Sequence, residues 1–72
     1  MTFNKEQARA FRILREYKTG FLRKYGTEKF RLLDTRYNPL YNLDRAPVQF
    51  LIDNKFLSIS RDERFTILKE KW

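Results

Sequence analysis

Neither cysteine nor histidine occurs anywhere in the 72 residues, and this double absence constrains the fold more than any motif does. A domain of this size buries only about 60% of the surface its unfolded chain exposes. Small domains commonly offset that shortfall with disulfides or a structural metal. This chain has neither thiols nor imidazoles, so hydrophobic burial must hold it together. Seven Phe, four Tyr and one Trp make 17% of the residues aromatic, and each buried ring removes roughly 150–250 Å² from water. A single folded domain over residues 1–72 is expected, although 35% of the residues are charged.

The same absence excludes most catalytic chemistry, because no thiolate nucleophile and no near-neutral acid or base is available. Asp34, Asp44, Asp53 and Asp62 lie nine or ten residues apart, without the spacing of paired carboxylates or metal ligands. Ser58 and Ser60 have no base beside them, and Gly20 and Gly26, the only glycines, cannot build a phosphate-cradling loop. The expectation is a non-enzymatic protein with no metal and no small-molecule cofactor. No apolar run approaches the ~20 residues of a membrane span, and residues 1–6 lack the apolar region of a signal peptide. A cytoplasmic protein without a membrane partner, or one acting inside an infected cell, is therefore expected.

The formal charge of +7 is uneven. Residues 1–26 hold seven bases against two acids, a net of +5, whereas residues 27–72 hold nine against seven. The search for an anionic partner starts in the first segment.

Residues 4–25 read as one long helix. Asn4 is a good N-cap with Gln7 at capping-box spacing, and Ala10, Leu14, Tyr17, Phe21 and Tyr25 recur at three- and four-residue steps. Gly26 stands where a helix C-cap favours glycine, and Gly20 is the weak point, where the helix would kink or end early. Residues 28–35 read as a strand with Phe30 and Leu32 on one face and Lys29, Arg31 and Leu33 on the other. Residues 36–44 read as a loop punctuated by Asn38-Pro39. A short helix is expected over 45–55, capped by Asp44, with Val48, Leu51, Ile52 and Phe56 as its apolar stripe.

Two readings compete for 56–72. A hairpin with a three-residue turn at Arg61-Asp62-Glu63 pairs Ile59 with Phe65 and Leu57 with Ile67. A helix capped by Ser60, with Glu63 closing the box, places Phe65, Leu68 and Trp72 on one face. The alternation from Leu57 and the β-branched Thr66 and Ile67 favour the hairpin. The fold class is then α+β: a long N-terminal helix and a short one packed on an antiparallel sheet of 29–35, 56–60 and 64–69. An all-α three-helix bundle is the runner-up.

The strongest candidate site is the basic face of the first helix. At 100° per residue Lys5, Arg9, Arg12, Glu16, Thr19 and Arg23 cluster opposite Leu14 and Phe21, with Arg15 at one margin. Such a row repels itself, and phosphates would neutralise it with release of counterions. The competing readings are a solvated helix face and a docking face for an acidic protein surface. Aromatic and basic residues also interleave in 17–18, 21–25 and 29–31, a pattern that suits stacking on single-stranded nucleic acid. Phe21, Phe30, Phe50 and Phe65 are expected in the core instead, with Tyr25, Tyr37, Tyr41 and Trp72 partly exposed. Asn38-Pro39-Leu40-Tyr41 matches the short Asn-Pro-x-Tyr peptide signal, but its mid-domain position reads as a turn whose tyrosines pack on the core.

The stretch from Pro47 to Lys69 resembles the last helix and wing of winged-helix domains. That resemblance implies that Arg45, Gln49, Asn54 and Lys55 face a nucleic-acid groove, with Arg61 and Arg64 near backbone phosphates. The chain departs from the pattern before this helix, where 36–44 is too short to supply the preceding one.

The leading expectation is a small basic protein that contacts DNA or RNA through Lys5, Arg9, Arg12, Arg15 and Arg23, with Arg61 and Arg64 contributing. The alternative is a protein-interaction module, either an assembly subunit or a small inhibitor or adaptor of the kind phages encode. It would dock through Tyr37, Tyr41 and Trp72.

Overall fold

In the computed structural model, which describes residues 2–69, the chain runs α1 (Lys5–Glu16), β1 (Phe21–Tyr25), β2 (Lys29–Leu33), β3 (Pro39–Asp44), α2 (Arg45–Asp53), β4 (Leu57–Ile59) and β5 (Phe65–Ile67). Strands β1, β2 and β3 form one antiparallel sheet in that order, and β4 and β5 form a separate hairpin. The class is α+β, and the three-helix bundle is ruled out.

α1 starts as its sequence dictates. Asn4 Oδ1 accepts the Gln7 N–H at 2.8 Å, and Gln7 Oε1 accepts the Asn4 N–H at 2.9 Å. This satisfies two of the donors that a helix start leaves open. The end differs from the expectation, since α1 closes at Glu16 and residues 21–25 form a strand. After the C-cap at Tyr17 the chain passes close to β2 at Gly20. A Cβ there would stand 2.3 Å from the Leu33 carbonyl oxygen, so the chain can pass against β2 only because residue 20 has no side chain. Gly26 is accordingly a turn residue rather than a helix cap. It takes φ +69° in the tight connection that pairs Tyr25 with Lys29.

The loop expected at 36–44 is largely β3. Pro39 opens that strand at the sheet edge, where a missing N–H is tolerated, and the register slips at Leu32/Leu33. With β1 and β3 flanking β2, the sheet does not take the hairpin as partner strands, as the sequence reading had it.

The hairpin itself has the expected register, Leu57 with Ile67 and Ile59 with Phe65. The left-handed residue that such a turn requires is Glu63, at φ 70°. α2 ends in a Schellman motif, in which the Phe56 N–H reaches the Leu51 carbonyl at 2.9 Å and the Lys55 N–H the Ile52 carbonyl at 3.2 Å. Lys55, at φ 64°, fills the place that glycine usually takes.

One core joins these parts. Phe11 and Leu14 of α1, Val48 and Leu51 of α2, Leu22, Phe30, Leu32 and Leu43 of the sheet, and Phe56, Leu57 and Phe65 around the hairpin are all buried. Phe3, Phe11 and Phe56 meet edge to face, with centroids 4.9 to 5.6 Å apart, each pair adding about 0.5–1.5 kcal/mol beyond its burial. The inner face of the sheet supplies Leu22, Phe30, Leu32 and Leu43. Its outer face carries Arg23, Tyr25, Lys29, Arg31, Asn42 and Asp44, by strand alternation from the same register.

Candidate functional site

Four of the expected cations stay together. Lys5, Arg9 and Arg12 are exposed along α1, and Arg15 is half-buried beside them with its guanidinium 5.5 Å from the Phe11 ring centroid. The short side chain of Ala8 leaves a shallow depression between Lys5, Arg9, Arg12 and Arg15. A second depression continues over Arg12, Arg15, Glu16 and Lys18. Among the described residues Lys5, Arg9 and Arg12 have no ion-pair partner. Lys5 moreover sits in the first turn of α1, where the helix dipole disfavours a cation and favours an anion.

Arg23 leaves this row, because the helix no longer reaches it. It lies on β1 and is clamped by Glu63. Its Nε donates to both carboxylate oxygens at 3.1 Å, and its Nη2 stands 3.0 Å from Oε1. That hydrogen bond and the carboxylate charge push the Arg23 pKa further up. Thr19 likewise lies in the turn after α1. Arg61 is exposed in the hairpin turn. Arg64 stands 3.5 Å from Asp62 and 5.3 Å from the Phe21 centroid.

Three of the four polar positions that the winged-helix resemblance points to a groove are tied to their own chain, while Lys55 is exposed. Arg45 donates to the Thr27 carbonyl at 3.2 Å, Gln49 to Asp53 at 2.9 Å, and Asn54 to the Phe50 carbonyl at 2.8 Å. Asp44 stands at the N-cap position of α2 without a side-chain cap bond, since its carboxylate pairs with Lys29 across the sheet.

The expected docking rings separate. Trp72 lies outside the described residues. Tyr41 is only 36% exposed and leans on Tyr17, with centroids 5.9 Å apart. The neighbouring Tyr41 and partial burial raise the Tyr17 pKa. Tyr37 is 55% exposed and lies flat on Phe21, with centroids 4.6 Å apart and planes 16° apart. Asp34 fixes this geometry: its carboxylate accepts the Arg36 and Asn38 N–H groups at 2.8 and 2.9 Å, while its carbonyl accepts the Tyr37 N–H at 3.0 Å. Those backbone donors, Asn38 first, hold the Asp34 pKa below its ordinary value.

The sequence reading did not single out the cross-strand pair Tyr25 and Arg31. The Arg31 guanidinium carbon stands 3.9 Å from the Tyr25 ring centroid, and its Nε donates to Asn42 at 3.3 Å. Phe21-Leu22-Arg23-Lys24-Tyr25 does not alternate apolar with polar, so the pair follows only once those residues are set antiparallel to β2.

Among the described residues no three carboxylates gather as a metal site, and no helix is long and apolar enough to cross a membrane. Comparisons with family models, with curated proteins and with solved structures return no match.

Proposed function

We propose that the protein is a small, non-enzymatic nucleic-acid-binding protein whose α1 surface contacts phosphates. The observation that carries this reading is the row Lys5, Arg9 and Arg12, exposed and without a carboxylate partner among the described residues. At 1.5 Å per residue the row runs about 10 Å, a length over which duplex DNA presents about six phosphates. Arginine forks take phosphate oxygens two at a time. Contact of this kind positions the protein on a strand and reads little sequence.

The test is a salt titration of binding to DNA and RNA. Three phosphate contacts predict that log K falls against log salt with a slope of about −2.7, and Arg9→Glu with Arg12→Glu should flatten it by about two. Absence of binding at low salt, or a double variant that binds like wild type, overturns the reading. A pulldown that survives nuclease and is lost in the same variant would assign the row to an acidic protein surface instead.

A further inference from the structure

We propose that the outer face of the three-stranded sheet is a stacking surface for single-stranded nucleic acid, with Tyr25 and Tyr37 as its base-contacting rings. This rests on the reading of the protein as a nucleic-acid binder and adds the strandedness of the ligand and a second surface.

The helices and the sheet's inner face share one core, so the outer face looks away from it. The apolar pair Phe21 and Leu33 at one end of it is buried, and the rest carries Arg23, Tyr25, Lys29, Arg31 and Asn42. Tyr25 is 50% exposed and Tyr37 55%, and both rings are held in place. One side of Tyr25 is covered by Arg31, which Asn42 orients. Tyr37 is backed by Phe21 and fixed by the Asp34 turn. A preordered ring loses little freedom when a base stacks on it. No carboxylate lies within ion-pair distance of Arg31 among the described residues, so its guanidinium can meet a phosphate or stack on a base itself.

Phe21 and Tyr25 lie four residues apart on β1, which places the two ring positions about 13 Å apart along the strand. That is room for a few bases, as on other sheet faces that stack two or three. A duplex cannot use this surface, because its base faces are already stacked on one another and only edges remain in the grooves. The surface also carries little surplus charge, with Arg23 held by Glu63 and Lys29 by Asp44. Apart from any phosphate that Arg31 meets, affinity gained here comes from stacking and should fall with salt less steeply than affinity gained on α1.

The experiment measures fluorescence anisotropy of labelled thymidylate and uridylate strands of about 15 nucleotides, a length that spans one such surface. A duplex of the same length serves as the comparison, with salt raised from about 50 to 200 mM. Proteins are wild type, Tyr25→Ala, Tyr37→Ala, Tyr25→Phe, and Arg9→Glu with Arg12→Glu. Tyr25→Ala and Tyr37→Ala should each weaken single-strand binding about 5- to 30-fold at both salt concentrations, and leave duplex binding unchanged. Tyr25→Phe, which keeps the ring, should restore single-strand binding. Single-strand affinity unchanged in either alanine variant, or duplex affinity falling with it, overturns the inference. If the arginine double variant still loses affinity in that case, the α1 reading stands alone. If the arginine variant binds like wild type while Tyr25→Ala loses the single strand, the α1 reading falls and the sheet surface stands. If wild type binds neither probe, both fall.

Discussion

On α1 the cations Lys5, Arg9 and Arg12 stand without a carboxylate among the described residues, whereas on the sheet and hairpin Arg23, Lys29 and Arg64 each have one, in Glu63, Asp44 and Asp62. The same residue types do different work in the two places. Exposed pairs contribute about 0–1 kcal/mol each and mainly fix where side chains point. They order the surroundings of Tyr25 and Tyr37. The helix row orders nothing and repels itself, so an incoming anion relieves more there. Net charge alone would not have separated the two surfaces.

The largest expected effect breaks both surfaces at once. Gly20→Ala would push a methyl group into the Leu33 carbonyl, a backbone group that cannot rotate away, and should cost about 3 kcal/mol in urea unfolding. A loss below about 0.5 kcal/mol would mean that the turn between α1 and β1 absorbs the methyl freely. Lys55→Gly acts in the other direction and touches neither surface. It relieves a left-handed lysine at the end of α2 and should raise stability by about 1 kcal/mol with nucleic-acid affinity unchanged. A change in affinity would show that the overall fold, and not surface chemistry, governs binding.

Glu63→Gln sharpens the contrast by giving the sheet a helix-like arginine. Stability should drop by less than about 1 kcal/mol, while the salt slope of binding should steepen by up to about one as Arg23 becomes available. An unchanged slope would place Arg23 outside any phosphate contact.

The smallest effect is on pH. Asp34 and Asp62 both titrate below their ordinary values, Asp34 because of the Asn38 and Arg36 backbone donors and Asp62 because of the Ser60 hydroxyl and the Arg64 N–H. A depressed carboxylate stabilises the fold above its unfolded pKa and loses that contribution as pH falls through the folded value. Thermal melts should therefore be flat near neutrality and decline below about pH 4, less steeply in Asp34→Asn than in wild type. Parallel declines in the two proteins would remove Asp34 from this role.

Much of the fold is legible in local chemistry. The Asn4 and Gln7 box starts α1, and alternation alone gives the register of Leu57 with Ile67. The missed boundary was not local. Leu14, Tyr17, Phe21 and Tyr25 keep helical spacing by sequence, and Phe21-Leu22-Arg23-Lys24-Tyr25 does not alternate apolar with polar. Gly20 marks a weak point in the helix, but the strand after it is visible only in its pairing with β2. β3 was hidden by Asn38 and Pro39, residues that end a helix or a central strand but can open an edge strand. For the site, the helix cations were readable because they are neighbours in sequence. The meeting of Arg31 with Tyr25 was not, because it depends on the hairpin that Gly26 turns.

A three-stranded sheet has two open sides, and the treatment of β1 bears on how copies of this chain behave when concentrated. The hairpin turn covers only the start of that strand, where the Leu22 N–H reaches the Glu63 carbonyl at 2.7 Å. Residues 23–25 follow with no further strand beside them among the described residues. That stretch presents backbone groups to which another chain's strand could add, and Arg23 and Lys24 stand on it. Charged side chains on an exposed strand border oppose stacking of like molecules into fibrils. Of the two, Arg23 is already paired with Glu63, so Lys24 is the charge that would disfavour addition of a second copy's strand here.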